Sequence, residues 1–348
     1  FRESAALLER RRGYKSFHKN RYRCSIPSCR FAATCWISSL RSKQHKVKNH
    51  PRQALRLAAW NVRTSLDNAD RHERRTAIIS RELARYDIDI AALSETRISG
   101  NSKFIEICGG YTLYCIGQPD GVARQGGVGF AVRTAIASKL VTDPVGISTR
   151  LMTLELCLPH GQRATLLSVY APTMLATDDA KENFYTQLDN TISAVPYKHK
   201  LFILGDFNAR VGRDFNVWKG ILGRHGVGSE NANGSLLLET CAKHELAVTN
   251  TVFQQANKYK TTWMHPRSKH WHMLDYILTR QRDLKDVRLT RVMRGTSSRS
   301  DHRLVRCAVF LTVCRPHRRQ QKLRVKKFDV SALKNPQVQL RLQQELDA

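Results

Sequence analysis

Apolar and polar positions along the chain form two alternating kinds of segment. Leu55–Asn61 (LRLAAWN) and Ile88–Glu95 (IDIAALSE) are short apolar runs that read as buried strands. Between them, residues 71–86 place Ile79, Leu83 and Tyr86 on one helical face. Further strands are predicted at Gly127–Val132, Arg150–Leu158 and Arg163–Tyr170, the last two separated by a turn at Pro159-His160-Gly161-Gln162. A helix over 179–195 is built around Phe184, Leu188 and Ile192, and Leu201–Asp206 (LFILGD) is the next apolar run. A helix over 235–245 follows Asn233-Gly234; Leu246–Asn250, Met273–Thr279 and Arg303–Val313 complete the strands. Hairpins mixed with helical crossovers imply an α/β protein with large mixed sheets. No internal repeat is visible.

Four of these strands end in a polar residue where a loop begins: Asn61, Glu95, Tyr170 and Asp206. Functional groups of α/β sheets gather where strand ends open into loops. If the four strands share an edge, these side chains line one cleft.

Glu95 is the best single candidate for a hard-cation ligand, because Mg²⁺ takes oxygen ligands and often needs only one or two carboxylates. Asp206 and Asn208 lie two residues apart, so on an extended chain both face one side. An acceptor beside an amide suits activation of a water and binding of a phosphoryl oxygen. His302, in Ser300-Asp301-His302, supplies an imidazole, and Asp275 could orient it. Each motif alone has a plainer reading. Asp206-Phe207-Asn208 fits a turn, Glu95 a surface charge, Asp301-His302 a solvated loop, and Tyr170 a packed strand end. The ordered set shifts the balance.

Taken together, these residues resemble the endonuclease/exonuclease/phosphatase superfamily. Trp60-Asn61, Ser94-Glu95-Thr96-Arg97, Val169-Tyr170-Ala171-Pro172, Gly205-Asp206-Phe207-Asn208, Thr262-Trp263, Leu274-Asp275-Tyr276-Ile277-Leu278 and Ser300-Asp301-His302 occur in the family order, across roughly residues 55–313. The resemblance implies a DNase I-like four-layer α/β sandwich of two packed mixed β-sheets flanked by helices. It also implies phosphoester cleavage with Mg²⁺ or Mn²⁺. On that basis Glu95 holds the metal, with Asn61 beside it and Asp301 as a further carboxylate. Asp206 positions or activates water, and Asn208 and Tyr170 bind the scissile phosphate. His302, oriented by Asp275, stabilises charge or acts in acid–base catalysis. Arg63, Arg97, Thr262 and Trp263 are expected to contact nucleic acid. Arg63 stands where apurinic endonucleases of the superfamily usually carry an Asp. Asn231-Ala232-Asn233-Gly234, Thr249-Asn250-Thr251 and Lys327–Leu333 are similar to the endonuclease domain of non-LTR retrotransposons and its linker.

Charge then narrows the substrate class. The 348 residues carry 58 Lys+Arg against 29 Asp+Glu, a net +29 that favours a polyanionic partner. Residues 1–56 hold a net +13 and residues 311–348 a net +6, which leaves +10 on the middle. The expected organisation is a basic flank at 1–54, a catalytic domain at 55–313, and a basic linker with a helical tail at 314–348. Cys24, Cys29, His45 and His50 could form a zinc site, but the 15-residue gap exceeds the usual spacing of about 12. A basic arm that binds phosphates is the favoured reading of that flank. Arg315–Lys327 is read as a solvated linker rather than a phosphate-binding strip. Nine scattered cysteines fit free thiols better than a disulfide framework.

No apolar run approaches 18 residues, which argues against a membrane span. No secretory signal is visible, and the Phe1 start points to a fragment or processed chain. The expectation is a Mg²⁺-dependent, monomeric, nuclear DNA endonuclease that leaves a 3′-hydroxyl and a 5′-phosphate, with no obligate protein partner. The alternatives are a non-catalytic DNA- or chromatin-binding relic of a retroelement, or an abasic-site endonuclease or other phosphoesterase of the same fold.

Overall fold

Strand β1, Leu55–Asn61, shows how the apolar pattern becomes a layer. Leu55, Leu57 and Ala59 join a cluster between two sheets, while Ala58 and Trp60 join a cluster on the outer side. This period-2 division recurs in every central strand, because successive side chains point to opposite faces. A computed structural model describes residues 54–67, 73–296, 300–315 and 334–347. These residues belong to one compact unit, Asn49–Ala348. The Cys24–His50 set and the Arg315–Lys327 run beyond Arg315 lie outside the described residues.

In chain order, α1 (Arg75–Arg85) links β1 to β2 (Ile90–Ser94). Strands β3 (Asn101–Glu106), β4 (Tyr111–Ile116) and β5 (Val128–Arg133) follow, then the short α2 (Thr134–Ala137). Next come β6 (Val145–Ser148), β7 (Leu151–Cys157), β8 (Arg163–Tyr170), α3 (Asp178–Ala194) and β9 (Lys200–Asp206). Helix α4 (Ala232–Lys243) leads to β10 (Leu246–Val248), a small hairpin of β11 (Trp263–Met264) and β12 (Trp271–His272), and β13 (Asp275–Arg280). Strands β14 (Val287–Met293) and β15 (Leu304–Val309) and helix α5 (Pro336–Leu346) complete the order.

The first sheet runs β14-β15-β1-β2-β5-β4-β3 and the second β10-β13-β9-β8-β7-β6. Both are mixed: β1 and β2 are parallel, as are β8 and β9, and the other pairs are antiparallel. Ile79 and Leu83 of α1 cover the outer face of the first sheet. Phe184, Leu188 and Ile192 of α3, with Leu237, Leu238 and Cys241 of α4, cover that of the second. The result is the expected four-layer α/β sandwich. Burial of each of these Leu, Ile and Phe side chains contributes about 1.5–3 kcal/mol. Two serines pin the sheets together near their functional end. Ser94 Oγ donates to the Val169 carbonyl (3.2 Å) and Ser168 Oγ to the Leu93 carbonyl (3.4 Å).

The structure adds strands that the pattern did not mark. β3, β6 and β14 are sheet edges where Lys103 and Ile105, Val145 and Ile147, and Arg288 and Leu289 face solvent, so no buried apolar run marks them. β4 is almost wholly buried and was apolar enough to be read. Three boundaries are corrected: the strand expected over Arg303–Val313 ends at Val309, the one over Leu246–Asn250 ends at Val248 where a 3-10 turn begins, and α4 starts earlier than expected. Asn233-Gly234 does not precede α4 but lies in its first turn, with Asn231 as the N-cap accepting from Gly234 N. Gly234 is there because a Cβ would sit 1.9 Å from the Arg210 carbonyl oxygen. The six cysteines among the described residues are all free thiols. No described helix is long and apolar enough to cross a membrane.

Candidate active site

Parallel pairing brings the predicted strand ends together. Asn61 pairs with Ser94, the residue before Glu95, and Tyr170 pairs with Asp206. Asp275 opens β13 directly opposite Asp206, and His302 lies just before β15, which runs antiparallel to β1. Asn61, Asp206 and Asp275 continue the inward-facing positions of their strands, so all three point into the gap between the sheets. Apolar packing has therefore set the direction of the polar groups.

The groups contact one another. Asn61 Nδ2 donates to Glu95 Oε1 (2.8 Å) and Asp206 Oδ2 (2.9 Å), and Asn61 Oδ1 accepts from Arg63 N. Tyr170 hydroxyl donates to Glu95 Oε1 at 3.1 Å. His302 Nδ1 lies 2.9 Å from Asp275 Oδ2, and its Nε2 lies 3.9 Å from Asp206 Oδ2. Trp263 Nε1 donates to Asp301 Oδ2 at 3.0 Å, and its ring lies beside that of His302, centroids 6.2 Å apart. Glu95, Tyr170, Asn208, Trp263, Asp301 and His302 line a cleft of about 620 Å³ that also takes in Arg210, His265 and His272.

Left-handed backbone concentrates here. Arg63, Glu95, Arg97 and Asn208 all have φ between 47° and 63°. Such non-glycine positions cost about 1–3 kcal/mol each and persist where the surroundings enforce them. At Glu95 the enforcement comes from Thr96 N and Arg97 N, which donate to the Gly127 and Gly126 carbonyls. Asn208 corrects the expectation that it faces the same side as Asp206 on an extended chain. β9 ends at Asp206, Asn208 turns to φ 47°, and Asp206 Oδ1 accepts from Asn208 N at 2.9 Å. Asn208 Nδ2 donates to the Ala171 carbonyl, which leaves its side chain on the cleft wall.

Thr262 is a second correction. Expected at the nucleic-acid surface, it is 0% exposed. Its Oγ1 accepts from Leu274 N (3.0 Å) and Asp275 N (3.3 Å), so it positions the start of β13. Arg63 and Arg97 are exposed as expected, and Arg97 also reaches Glu95 Oε2 at 3.2 Å. Several supporting residues had no assigned role in the sequence. Asn250 clamps β13, donating to the Asp275 carbonyl and accepting from Ile277 N. Asn233 Nδ2 ties the Asn208 carbonyl to that of Pro172. Ser300 Oγ donates to the Asn61 carbonyl and accepts from His302 N. Arg150 donates to the Tyr170 carbonyl, with its guanidinium 5.1 Å from the Tyr170 ring. Local polar spacing singled out the Asn and Ser residues as motifs; nothing in the sequence marks Arg150.

The electrostatics follow from burial. Burial and the charge of Asp275 push Asp206 up to about 7, against the opposing pull of His302. Burial alone would lower His302, but the charges of Asp275 and Asp206 outweigh it and raise His302 to about 10. Burial and the Glu95 charge push the Tyr170 hydroxyl well above its ordinary value, so it stays a hydrogen-bond donor. Asp206, Asp275 and His302 offer atoms within 4.8 Å of one another that could close on a cation. A protonated His302 already balances that pair, however. Glu95 and Asp301 are further carboxylates on the cleft wall, with Asn61 Nδ2 bonded to Glu95, and carboxylate oxygens are the donors that a hard divalent cation takes.

Residues 58–302 match the model of the Endonuclease/Exonuclease/phosphatase family. The chain belongs to that family. Craniofacial development protein 2 of Bos taurus is 32% identical over 255 residues, covering 72% of this chain and 40% of that protein. Its counterpart from Tragulus javanicus is 30% identical over 251 residues, covering 72% of this chain and 41% of that protein. The chain thus spans about two fifths of the length of these curated relatives. The family fold is shared with the catalytic domain of APE2 from Xenopus laevis, at a TM-score of 0.55 and 16% identity over 76% of this chain and 94% of that one. It is also shared with the AP endonuclease LMAP from Leishmania major, at a TM-score of 0.53 and 15% identity over 74% and 88%. Members of this family share a nuclease and phosphoesterase architecture, and their fold generally works with divalent metals.

Proposed function

We propose that this chain is a divalent-cation-dependent endonuclease that nicks one strand of DNA, leaving a 3′-hydroxyl and a 5′-phosphate. The observation that carries it is the buried Asp206 facing the His302–Asp275 couple at the cleft. A carboxylate with a raised pKa takes the proton of an attacking water near neutral pH. The water oxygen bonds to phosphorus, and the P–O3′ bond breaks with its electron pair on O3′, which takes up a proton. The imidazolium of His302 and the amide of Asn208 stabilise the equatorial oxygens as charge builds on them. Tyr170, held by Arg150, keeps a donor beside Glu95. Glu95 and Asp301, with Asn61 beside them, would hold Mg²⁺ or Mn²⁺, whose charge lowers the energy of the phosphoryl transition state.

DNA is the substrate favoured by the basic character of the chain, +10 even on its middle. Arg63, at the position usually held by an acid in apurinic endonucleases, favours nicking of intact target DNA over abasic-site repair. The Asn231–Gly234, Thr249–Thr251 and Thr262–Trp263 motifs, similar to those of non-LTR retrotransposon endonuclease domains, favour descent from such an element. A nuclear, monomeric protein with a catalytic domain at 55–313 completes the reading.

The test is nicking of supercoiled plasmid with Mg²⁺, run beside Glu95→Ala and His302→Ala. The parent should nick, and each variant should lose about a hundredfold or more. An inactive parent, or variants as fast as the parent, would sink the reading.

A further inference from the structure

We propose that the outer face of β1–β15–β14 carries a second anion site, apart from the cleft, in which Arg306 and Arg291 grip the phosphodiester backbone of nucleic acid. Arg291 and Arg306 are direct cross-strand partners. Ala58 opposes Arg306 and Arg56 opposes Ala308, so Arg56 stands one diagonal step away. Like charges directly opposite one another destabilise a sheet. Arg56 is relieved by Asp87, which Arg133 also shares. Among the described residues, neither Arg306 nor Arg291 has a carboxylate at ion-pair distance. The neighbouring Arg56 and Arg291 help to lower the Arg306 pKa, after burial and against Asp87 and Asp89.

Arg291 and Arg306 line a depression of about 120 Å³ together with Leu289, Met293 and Ala308. None of these residues lines the catalytic cleft. The Arg291 guanidinium is fixed 3.9 Å above the Tyr259 ring. A planar fork held flat is suited to bidentate contact with phosphate oxygens. Arg288 and Arg294, on the edge strand and in the turn after it, are exposed nearby. The net +10 on the middle of the chain favours a polyanion here over a single free anion. The like-charged pair, with no carboxylate at ion-pair distance among the described residues, is thus a place where a bound phosphate would relieve repulsion. This site does not depend on the cleft being catalytic.

The experiment measures binding of the full chain to a short labelled DNA duplex, in chelator, across a salt series. Arg291→Thr/Arg306→Thr should weaken binding about tenfold or more near 0.1 M salt and flatten the log–log salt slope by about 1.8, two contacts at about 0.9 each. The Arg291→Lys/Arg306→Lys variant should recover most of the slope and only part of the affinity. Arg306→Thr alone should melt at or above the parent temperature, which a purely structural arginine would not allow. Unchanged affinity and slope in the double Thr variant overturn the proposal. So does a loss of binding to an acidic peptide with DNA binding intact. Inorganic phosphate that shifts the arginine side-chain N–H resonances while duplex does not also overturns it, because the site would then serve a free anion.

Discussion

At Asp206, burial and the Asp275 charge act against ionisation, while His302 and hydrogen bonds from Asn61 and Asn208 act for it. The first pair wins, and the folded pKa of about 7 lies above the ordinary value of 3.8. The native state therefore binds this proton more tightly than the unfolded chain does. Its stabilisation is complete below about pH 4 and is lost as pH rises through about 7. His302 has the same sign: its contribution is complete below its ordinary 6.5 and is lost as pH rises through about 10. In chelator, the melting temperature of the parent should fall between pH 4 and pH 7. Asp206→Asn has no proton to lose and should show a smaller fall, so that it gains on the parent as pH rises. Parallel curves for the two proteins would contradict the shift.

At the scale of elements, the site depends on how β13 and β9 are held. Thr262→Val keeps the shape of a buried side chain but leaves the N–H groups of Leu274 and Asp275 without their acceptor. The expected cost is about 1–3 kcal/mol, read as a lower urea midpoint. Because Asp275 orients His302, kcat on plasmid should fall more than KM rises, a split that loss of a DNA contact would not give. Gly205 tests the other strand. It pairs with Val169, and a Cβ there would lie 1.9 Å from the Val169 carbonyl oxygen. Backbone on both sides blocks easy relief, so Gly205→Ala should destabilise by about 1–3 kcal/mol or more, measured by thermal melting. A neutral result would mean that β8 and β9 can part without loss, contrary to their tight register.

At the scale of the whole molecule, the loop after β2 and the loop before β15 bring Glu95 and Asp301 to the wall of one cleft. A cation that binds only the folded chain should stabilise it by about 2.7 kcal/mol at a hundred times its dissociation constant. Mg²⁺ should therefore raise the melting temperature of the parent in proportion to log concentration. Glu95→Ala should lose most of that rise, while Asp283, a carboxylate remote from the cleft, should be dispensable for it. An equal Mg²⁺ response in parent and Glu95→Ala would remove Glu95 as the principal ligand.

The sequence by itself determined the α/β class, the central strands and the polar residue at the end of each. It could do so because period-2 burial and helical spacing are local properties: β1 and β8 begin and end where the pattern places them. The motif set also identified most of the side chains that meet at the cleft. Only the tertiary structure decided which of them touch. Parallel pairing of β1 with β2 and of β8 with β9 put Asn61, Glu95, Tyr170 and Asp206 at one end. Burial turned Thr262 from an expected DNA contact into a support, and a left-handed turn re-aimed Asn208. Cross-strand register opposed Arg291 to Arg306, residues 15 positions apart whose sequence neighbours give no sign of the pairing. Direction and partnership come from the register and packing of distant segments, and no local pattern of residues encodes those.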